Sequence, residues 1–199
     1  MADNKPPEIA IIGGGITGVI LTLGLLRRKI KPVVYERARA FREIGAGIGF
    51  TPNAERAMQA LDPRILQCFR AVATRNNDDW FRYVDGFGCD RSGRPTVQGC
   101  EELVCKMYLG ERGFEACRRS DFHQRIVDLI PEDCVKFGKN LVSVEDDPER
   151  DQVLMKFEDG SVEQADVGKS KLIYTTDTIT NRFTYLLTSL ERSNRLRRH

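Results

Sequence analysis

The hydrophobic pattern opens with the uninterrupted apolar run Ile9-Ala10-Ile11-Ile12, which stops at three consecutive glycines, Gly13, Gly14 and Gly15. A short run of this kind bounded by turn residues reads as a strand buried on both faces. Apolar residues then recur at helical spacing at Ile16, Val19, Ile20, Leu23 and Leu26, and the pattern ends on Arg27-Arg28-Lys29. This predicts a helix over 16–29 whose terminal cations suit its C-terminus. Pro32-Val33-Val34-Tyr35-Glu36 predicts a second strand, and Met1 to Pro7 a loose polar leader.

Farther along, Arg42 to Phe50 alternates glycine with apolar residues from Gly45 onward, the pattern of a strand or extended loop that something approaches closely. Thr51 to Leu61 reads as a helix with Thr51 as N-cap, Pro52 at the first position, and Ala54, Ala57, Met58 and Leu61 on one face. A shorter helix is expected over Asp62 to Phe69. Between about 71 and 113 the period shortens, and Trp80 to Val84 and Leu103 to Leu109 read as strands of a second sheet, with a polar linker from Cys89 to Gly99. Ser120 is the expected N-cap of a helix reaching Ile130, with Phe122, Ile126, Leu129 and Ile130 facing inward and Pro131 ending it. Val135 to Phe137 would be a third parallel strand. Leu141 to Glu145, Val153 to Phe157 and Ser161 to Ala165 form a small antiparallel meander with a turn at Asp159-Gly160. The fold class is therefore α/β, a Rossmann-like βαβ sheet with a small antiparallel β-meander and part of a second sheet.

The first turn carries candidate chemistry. Gly13, Gly15 and Gly18 have the spacing G-x-G-x-x-G directly between strand and helix. The first glycine permits the sharp exit, the second leaves room for a pyrophosphate, and the third lets the helix pack closely. The helix start offers unpaired N–H groups and a partial positive charge to a diphosphate. Glu36, 23 residues beyond Gly13, stands where a carboxylate can accept hydrogen bonds from ribose hydroxyls. Glycine turn, helix, second strand and terminal acid together predict dinucleotide binding. Gly168-Lys169-Ser170 is only an echo of a P-loop, because its upstream glycine context is missing.

Composition narrows the alternatives. Over 199 residues, 31 basic and 29 acidic side chains leave a net charge of +2, which gives no reason to expect nucleic acid or a membrane surface as partner. Arg192, Arg195, Arg197 and Arg198 cluster at the end and read as a solvated tail. Cys68, Cys89, Cys100, Cys105, Cys117 and Cys134 include no C-x-x-C pair, and His123 and His199 are the only imidazoles, so no metal site is expected. Reduced thiols and the absence of a secretory signal point to a cytoplasmic protein. Ile9 to Leu26 is uncharged for 18 residues, but its five glycines favour a buried strand and helix over a membrane span.

Three separated motifs resemble the FAD-dependent aromatic-ring monooxygenases of the salicylate-hydroxylase-like type, particularly those acting on phenolic fungal metabolites. They are Gly13-Gly14-Gly15-Ile16-Thr17-Gly18 with Val34-Tyr35-Glu36-Arg37, the stretch Glu43 to Ala54, and Arg119-Ser120-Asp121-Phe122-His123. The resemblance implies that Gly13, Gly15, Gly18 and Glu36 bind FAD, that Glu36 holds its ribose, that Gly49 lies against it, and that Arg119 contacts its phosphate or ribitol region. It also implies NAD(P)H and O2 as co-substrates and a small aromatic substrate. His123 reads as a packed or capping histidine, and no catalytic residue is assigned. The glycine fingerprint taken alone also fits amine oxidases and NAD-dependent dehydrogenases.

The likeness covers residues 9 to about 166 and stops after Val167. Residues 1–167 are read as the FAD-binding domain, with the start of the substrate-domain sheet at 71–113. Residues 168–199 are read as a divergent tail, with translated intronic sequence as one origin. In the other reading of that tail, Lys171 to Thr176 supplies a substitute strand, and Phe183, Leu186, Leu187 and Leu190 form a closing helix face. The expected function is that of an FAD-dependent monooxygenase present as its N-terminal portion. The rival is a catalytically inactive FAD-binding fragment.

Overall fold

The computed structural model describes residues 8–41, 46–75, 78–84, 103–110, 112–147, 149, 152–166 and 174–175. The chain runs through β1 (Ala10–Ile12), α1 (Ile16–Arg27), β2 (Val33–Glu36), β3 (Gly47–Phe50), α2 (Pro52–Leu61) and α3 (Pro63–Arg70). Then come β4 (Thr74–Arg75), β5 (Trp80–Val84), β6 (Leu103–Tyr108), β7 (Glu115–Arg118) and α4 (Arg119–Val127). After a 3-10 turn at Glu132–Cys134 follow β8 (Val135–Phe137), β9 (Leu141–Asp147), β10 (Gln152–Phe157), β11 (Val162–Asp166) and β12 (Tyr174–Thr175). The elements group into two units, Met1–Ile44 with His123–His199, and Gly45–Phe122.

The first unit is built on a parallel sheet of order β12-β1-β2-β8. Ile11 lies opposite Val34, which in turn lies opposite Val135. Because successive side chains alternate faces, Ala10, Ile12, Val33 and Tyr35 share one side of the sheet and Ile11 and Val34 the other. The first side packs on the meander. Buried Ala10 and Tyr35 form one cluster with Val153, Met155, Phe157 and Ala165, and Ile12, Val33, Leu141 and Val144 close around it. Tyr35 stacks on Phe157 with ring centroids 5.0 Å apart, and its hydroxyl donates to Glu163 Oε2 at 3.4 Å. Burial first, and then the Glu163 charge, push the phenol well above its ordinary pKa, so it stays a neutral donor.

Helix α1 covers the opposite side, with Val19, Thr22 and Leu23 fully buried. It is two residues shorter than the predicted 16–29, because Arg28 already caps it: its N–H reaches Leu25 O at 2.8 Å and its guanidinium donates to Gly24 O at 2.9 Å. Lys29 then turns away in the left-handed region at φ 62°. The Arg28 guanidinium therefore closes one of the terminal carbonyls.

The meander is an antiparallel sheet of order β11-β10-β9, with Gly160 at φ 80° in the predicted turn. On the outer side of β1, Ile11 pairs with Tyr174 and Ile12 with Thr175. The two-residue strand Tyr174–Thr175 thus falls within Lys171 to Thr176, the segment that one reading of the tail makes a substitute strand. The helix face read at Phe183 to Leu190 lies outside the described residues, as does the linker 89–99.

In the second unit, β3, β7 and β4 form an antiparallel sheet, and β5 pairs with β6 in a separate two-stranded ribbon. The second sheet expected over 71–113 is thus two pieces, β4 joining one and β5 with β6 making the other. Phe50, Phe69 and Phe122 meet edge to face at centroid distances of 5.1, 5.8 and 5.6 Å and form the apolar centre of this unit.

Three details differ from the sequence expectations, the first being that α4 ends at Val127, short of the expected Ile130. On α2 the buried residues are Glu55 and Met58, while Ala57 is exposed. Glu55 displaces the predicted Ala57 face because Arg70 of α3 donates to its Oε2 at 3.1 and 2.8 Å. Ser120 is not an N-cap, since α4 starts at Arg119 directly after β7, and the Ser120 hydroxyl instead donates to Asp121 Oδ1 at 3.1 Å.

Met155 is fully buried between the parallel sheet and the meander. Truncation to alanine there removes about 2–5 kcal/mol of stability. Urea unfolding followed by fluorescence measures it, and a midpoint equal to that of the unaltered protein would place Met155 outside the core.

Candidate functional site

Gly13 leaves β1 at φ 98°, a conformation that a side chain would strain, and its N–H donates to Tyr35 O at 2.9 Å. The turn is thereby tied to the end of β2. A Cβ on Gly18 would lie 2.1 Å from Gly13 O and 3.4 Å from Ile11 Cγ2. Only hydrogen fits, and this fixes how closely α1 approaches the strand.

Gly15 is the extended N-cap residue of α1 and offers no side chain to cap it; the first turn holds no acidic residue. The hydrogen bond that starts the helix runs from Val19 N–H to Gly15 O at 3.0 Å. The N–H groups before it have no intrahelical acceptor, and no carboxylate of the helix's own first turn competes for them. This is the electrostatic form of a diphosphate site.

Glu36 ends β2, and its carboxylate is held over the turn. Oε2 accepts from Gly14 N–H at 2.6 Å and Oε1 from Ala38 N–H at 2.8 Å. Each carboxylate oxygen keeps a further lone pair, so the group can also accept from vicinal hydroxyls.

Gly14 and His123 complete the turn. Gly14 was simply the middle glycine of three, yet a Cβ there would lie 2.3 Å from Phe41 Cε1 and 3.1 Å from Glu36 Oε2. His123, read as a packed or capping side chain, is 4% exposed and places Nε2 2.7 Å from Gly14 O. Three glycines in a row hinted at the first. The second depends on α4 reaching a turn 109 residues earlier in the chain, which no local pattern shows.

In the second unit, Gly49 lies in β3, where a Cβ would sit 2.1 Å from Phe114 Cζ. The close approach expected for the alternating glycines is made within this unit by the Phe114 ring. Arg119 begins α4, its side chain is half-buried, and its N–H donates to Ala46 O at 2.8 Å. Gly47 pairs with Arg118 and Gly49 with Ala116, so Gly49 and Arg119 belong to one β3–β7 corner. Gly13, Gly15, Gly18 and Glu36 are gathered at the glycine turn of the first unit.

Among the described residues no group of His, Cys, Asp and Glu side chains could hold a metal ion, and no helix is long and apolar enough to cross a membrane. Cys68, Cys105, Cys117 and Cys134 are free thiols, while Cys89 and Cys100 lie outside the described residues. Burial raises the Cys117 and Cys134 thiols, which disfavours the reactive thiolate at both.

No family model matches the chain. Over 161 residues it is 54% identical to the FAD-dependent monooxygenase azaH of Aspergillus niger, a match covering 79% of this chain and 37% of that protein. It is 39% identical over 169 residues to the salicylate hydroxylase asL1 of Sarocladium schorii, covering 82% of this chain and 34% of that one. In fold it is similar to a salicylate hydroxylase solved as a substrate complex, with a TM-score of 0.59 at 24% identity, over 82% of this chain and 35% of the other. The chain spans about a third of the length of these proteins, and the curated relatives are matched in their N-terminal part.

Gly18→Ala pushes a methyl group into the Gly13 carbonyl. It should lower stability by about 1–3 kcal/mol, the usual cost of overpacking. Chemical denaturation reads this directly; an unchanged midpoint would mean that the turn has slack to open.

Proposed function

We propose that this chain, homologous to the N-terminal part of fungal FAD-dependent monooxygenases, supplies the portion of such an enzyme that grips the adenylate half of FAD. The observation that carries the reading is the Glu36 carboxylate fixed over a glycine turn whose helix start has no side-chain cap and no acid in its first turn. In this reading Glu36 accepts from the ribose hydroxyls, and the α1 N-terminus receives the diphosphate over Gly13 and Gly15. Gly18 sets the distance between helix and sheet. Arg119 adds a guanidinium for the phosphate or ribitol region, and Gly49 lends its strand to the cofactor's surroundings.

The enzyme would hydroxylate a phenolic or other small aromatic substrate, with NAD(P)H and O2 as co-substrates. When bound, FAD would supply the oxygen chemistry, the transfer of one atom of O2 to an electron-rich ring with the other leaving as water and NAD(P)H as the reductant. The contribution of these residues is to bind and orient the cofactor's nucleotide half. The name of the 39%-identical relative, a salicylate hydroxylase, supports an aromatic substrate. A cytoplasmic location agrees with the free thiols.

A second reading is an FAD-binding chain without turnover of its own; the stretch it shares with its relatives is about a third of their length. Flavin absorbance on the purified protein tests binding in both cases. Phenol-dependent NAD(P)H oxidation with a hydroxylated product separates enzyme from fragment. A folded protein that stays colourless under saturating FAD would overturn both.

Replacing Glu36 by alanine should weaken FAD binding by about 1–3 kcal/mol, the cost of leaving polar partners unmatched. Isothermal titration of both proteins checks it, with circular dichroism confirming that the variant is folded; equal affinities would remove Glu36 from the site.

A further inference from the structure

The glycine turn is held from two sides. Gly14 offers its N–H to Glu36 Oε2 at 2.6 Å and its carbonyl oxygen to His123 Nε2 at 2.7 Å. A carbonyl oxygen can only accept, so Nε2 carries the hydrogen and the imidazole donates. The Gly14 carbonyl and the Gly15 N–H belong to one planar trans peptide and point in opposite directions. Whatever fixes that carbonyl therefore aims the Gly15 N–H as well. Without such a hold, three adjacent glycines would let this peptide rotate freely, since glycine has the widest backbone freedom of any residue.

The imidazole is itself fixed. It is 4% exposed, the Phe41 ring meets it edge-on at a centroid distance of 5.5 Å, and Phe41 is braced by Phe137 at 4.9 Å. Phe41 also closes on Gly14, where a Cβ would lie 2.3 Å from its Cε1. The aromatic pair thus seats both the donor and the residue that receives it.

We propose that His123 is a positioning residue of the nucleotide site, which orients the Gly14–Gly15 peptide so that the Gly15 N–H is preset toward the diphosphate. This rests on the FAD-binding reading above. It assigns His123 no contact with the cofactor and no part in oxygen chemistry. Affinity then depends on the hydrogen bond itself, and filling the same space with another ring is insufficient.

The test compares His123→Phe, which keeps ring volume but has no donor, with His123→Gln, whose amide restores one. FAD and ADP are titrated into the unaltered protein and each variant by calorimetry, and the Gly15 amide is followed by 1H–15N spectroscopy without ligand. His123→Phe should bind both nucleotides roughly tenfold more weakly, the factor for one lost hydrogen bond to a buried acceptor. His123→Gln should recover most of that loss, and the Gly15 amide resonance should move in the Phe variant and return in the Gln variant. If His123→Phe does not fold, His123→Asn, with an amide too short to reach the carbonyl, takes its place. Full affinity in the donor-less variant, with the unaltered protein binding FAD, would overturn the positioning role and leave the nucleotide reading intact. Failure of the unaltered protein to bind either nucleotide would overturn the nucleotide reading instead.

Discussion

Beside the Gly13 carbonyl there is room at residue 18 for a hydrogen atom only, and the approach of α1 to the parallel sheet depends on that contact. With the helix seated this closely, its first N–H groups emerge at the end of β1, next to the Glu36 carboxylate at the end of β2. The same approach buries Val19, Thr22 and Leu23 on the sheet. A helix dipole acts over about one turn, so a small displacement of α1 would blunt its use against an anion.

The energy that maintains this geometry comes mainly from apolar burial on both sides of the sheet. On the meander side, Tyr35, Val153, Met155 and Phe157 are all nearly or fully out of solvent, each worth about 1.5–3 kcal/mol on the usual area scale. Ion pairs at the periphery contribute far less. Lys31 and Asp133 meet with their side chains 56% and 67% exposed, a setting in which water and salt screen most of the attraction. The second unit uses a different device, three interlocking phenylalanines, with the half-buried Glu55–Arg70 contact joining α2 to α3.

Polar contacts have a more specific task at the turn. Tyr35 O holds Gly13, Glu36 holds Gly14 and Ala38, and His123 faces Gly14 from the other side. Each adds little to net stability, yet together they select one backbone path out of the many open to Gly13-Gly14-Gly15. Selecting that path before a ligand arrives spares binding the cost of ordering it.

The amino-acid pattern by itself determined the strand–glycine–helix–strand unit, the terminal acid, the third parallel strand and the meander, because apolar periodicity and turn residues are local signals. Gly13, Gly15, Gly18 and Glu36 come together in space because all lie within the one stretch β1–α1–β2. Tertiary structure alone decided the features that join distant segments: Arg70 drawing Glu55 into a buried position, Phe114 lying on Gly49, Phe41 covering Gly14, and His123 reaching the Gly14 carbonyl. Ser120 lost its capping place for a similar reason, because β7 delivers the chain straight into α4 at Arg119. Periodicity reports which face a residue takes along its own element; which partner it meets is set by packing between elements far apart in the chain, and no short-range pattern encodes that.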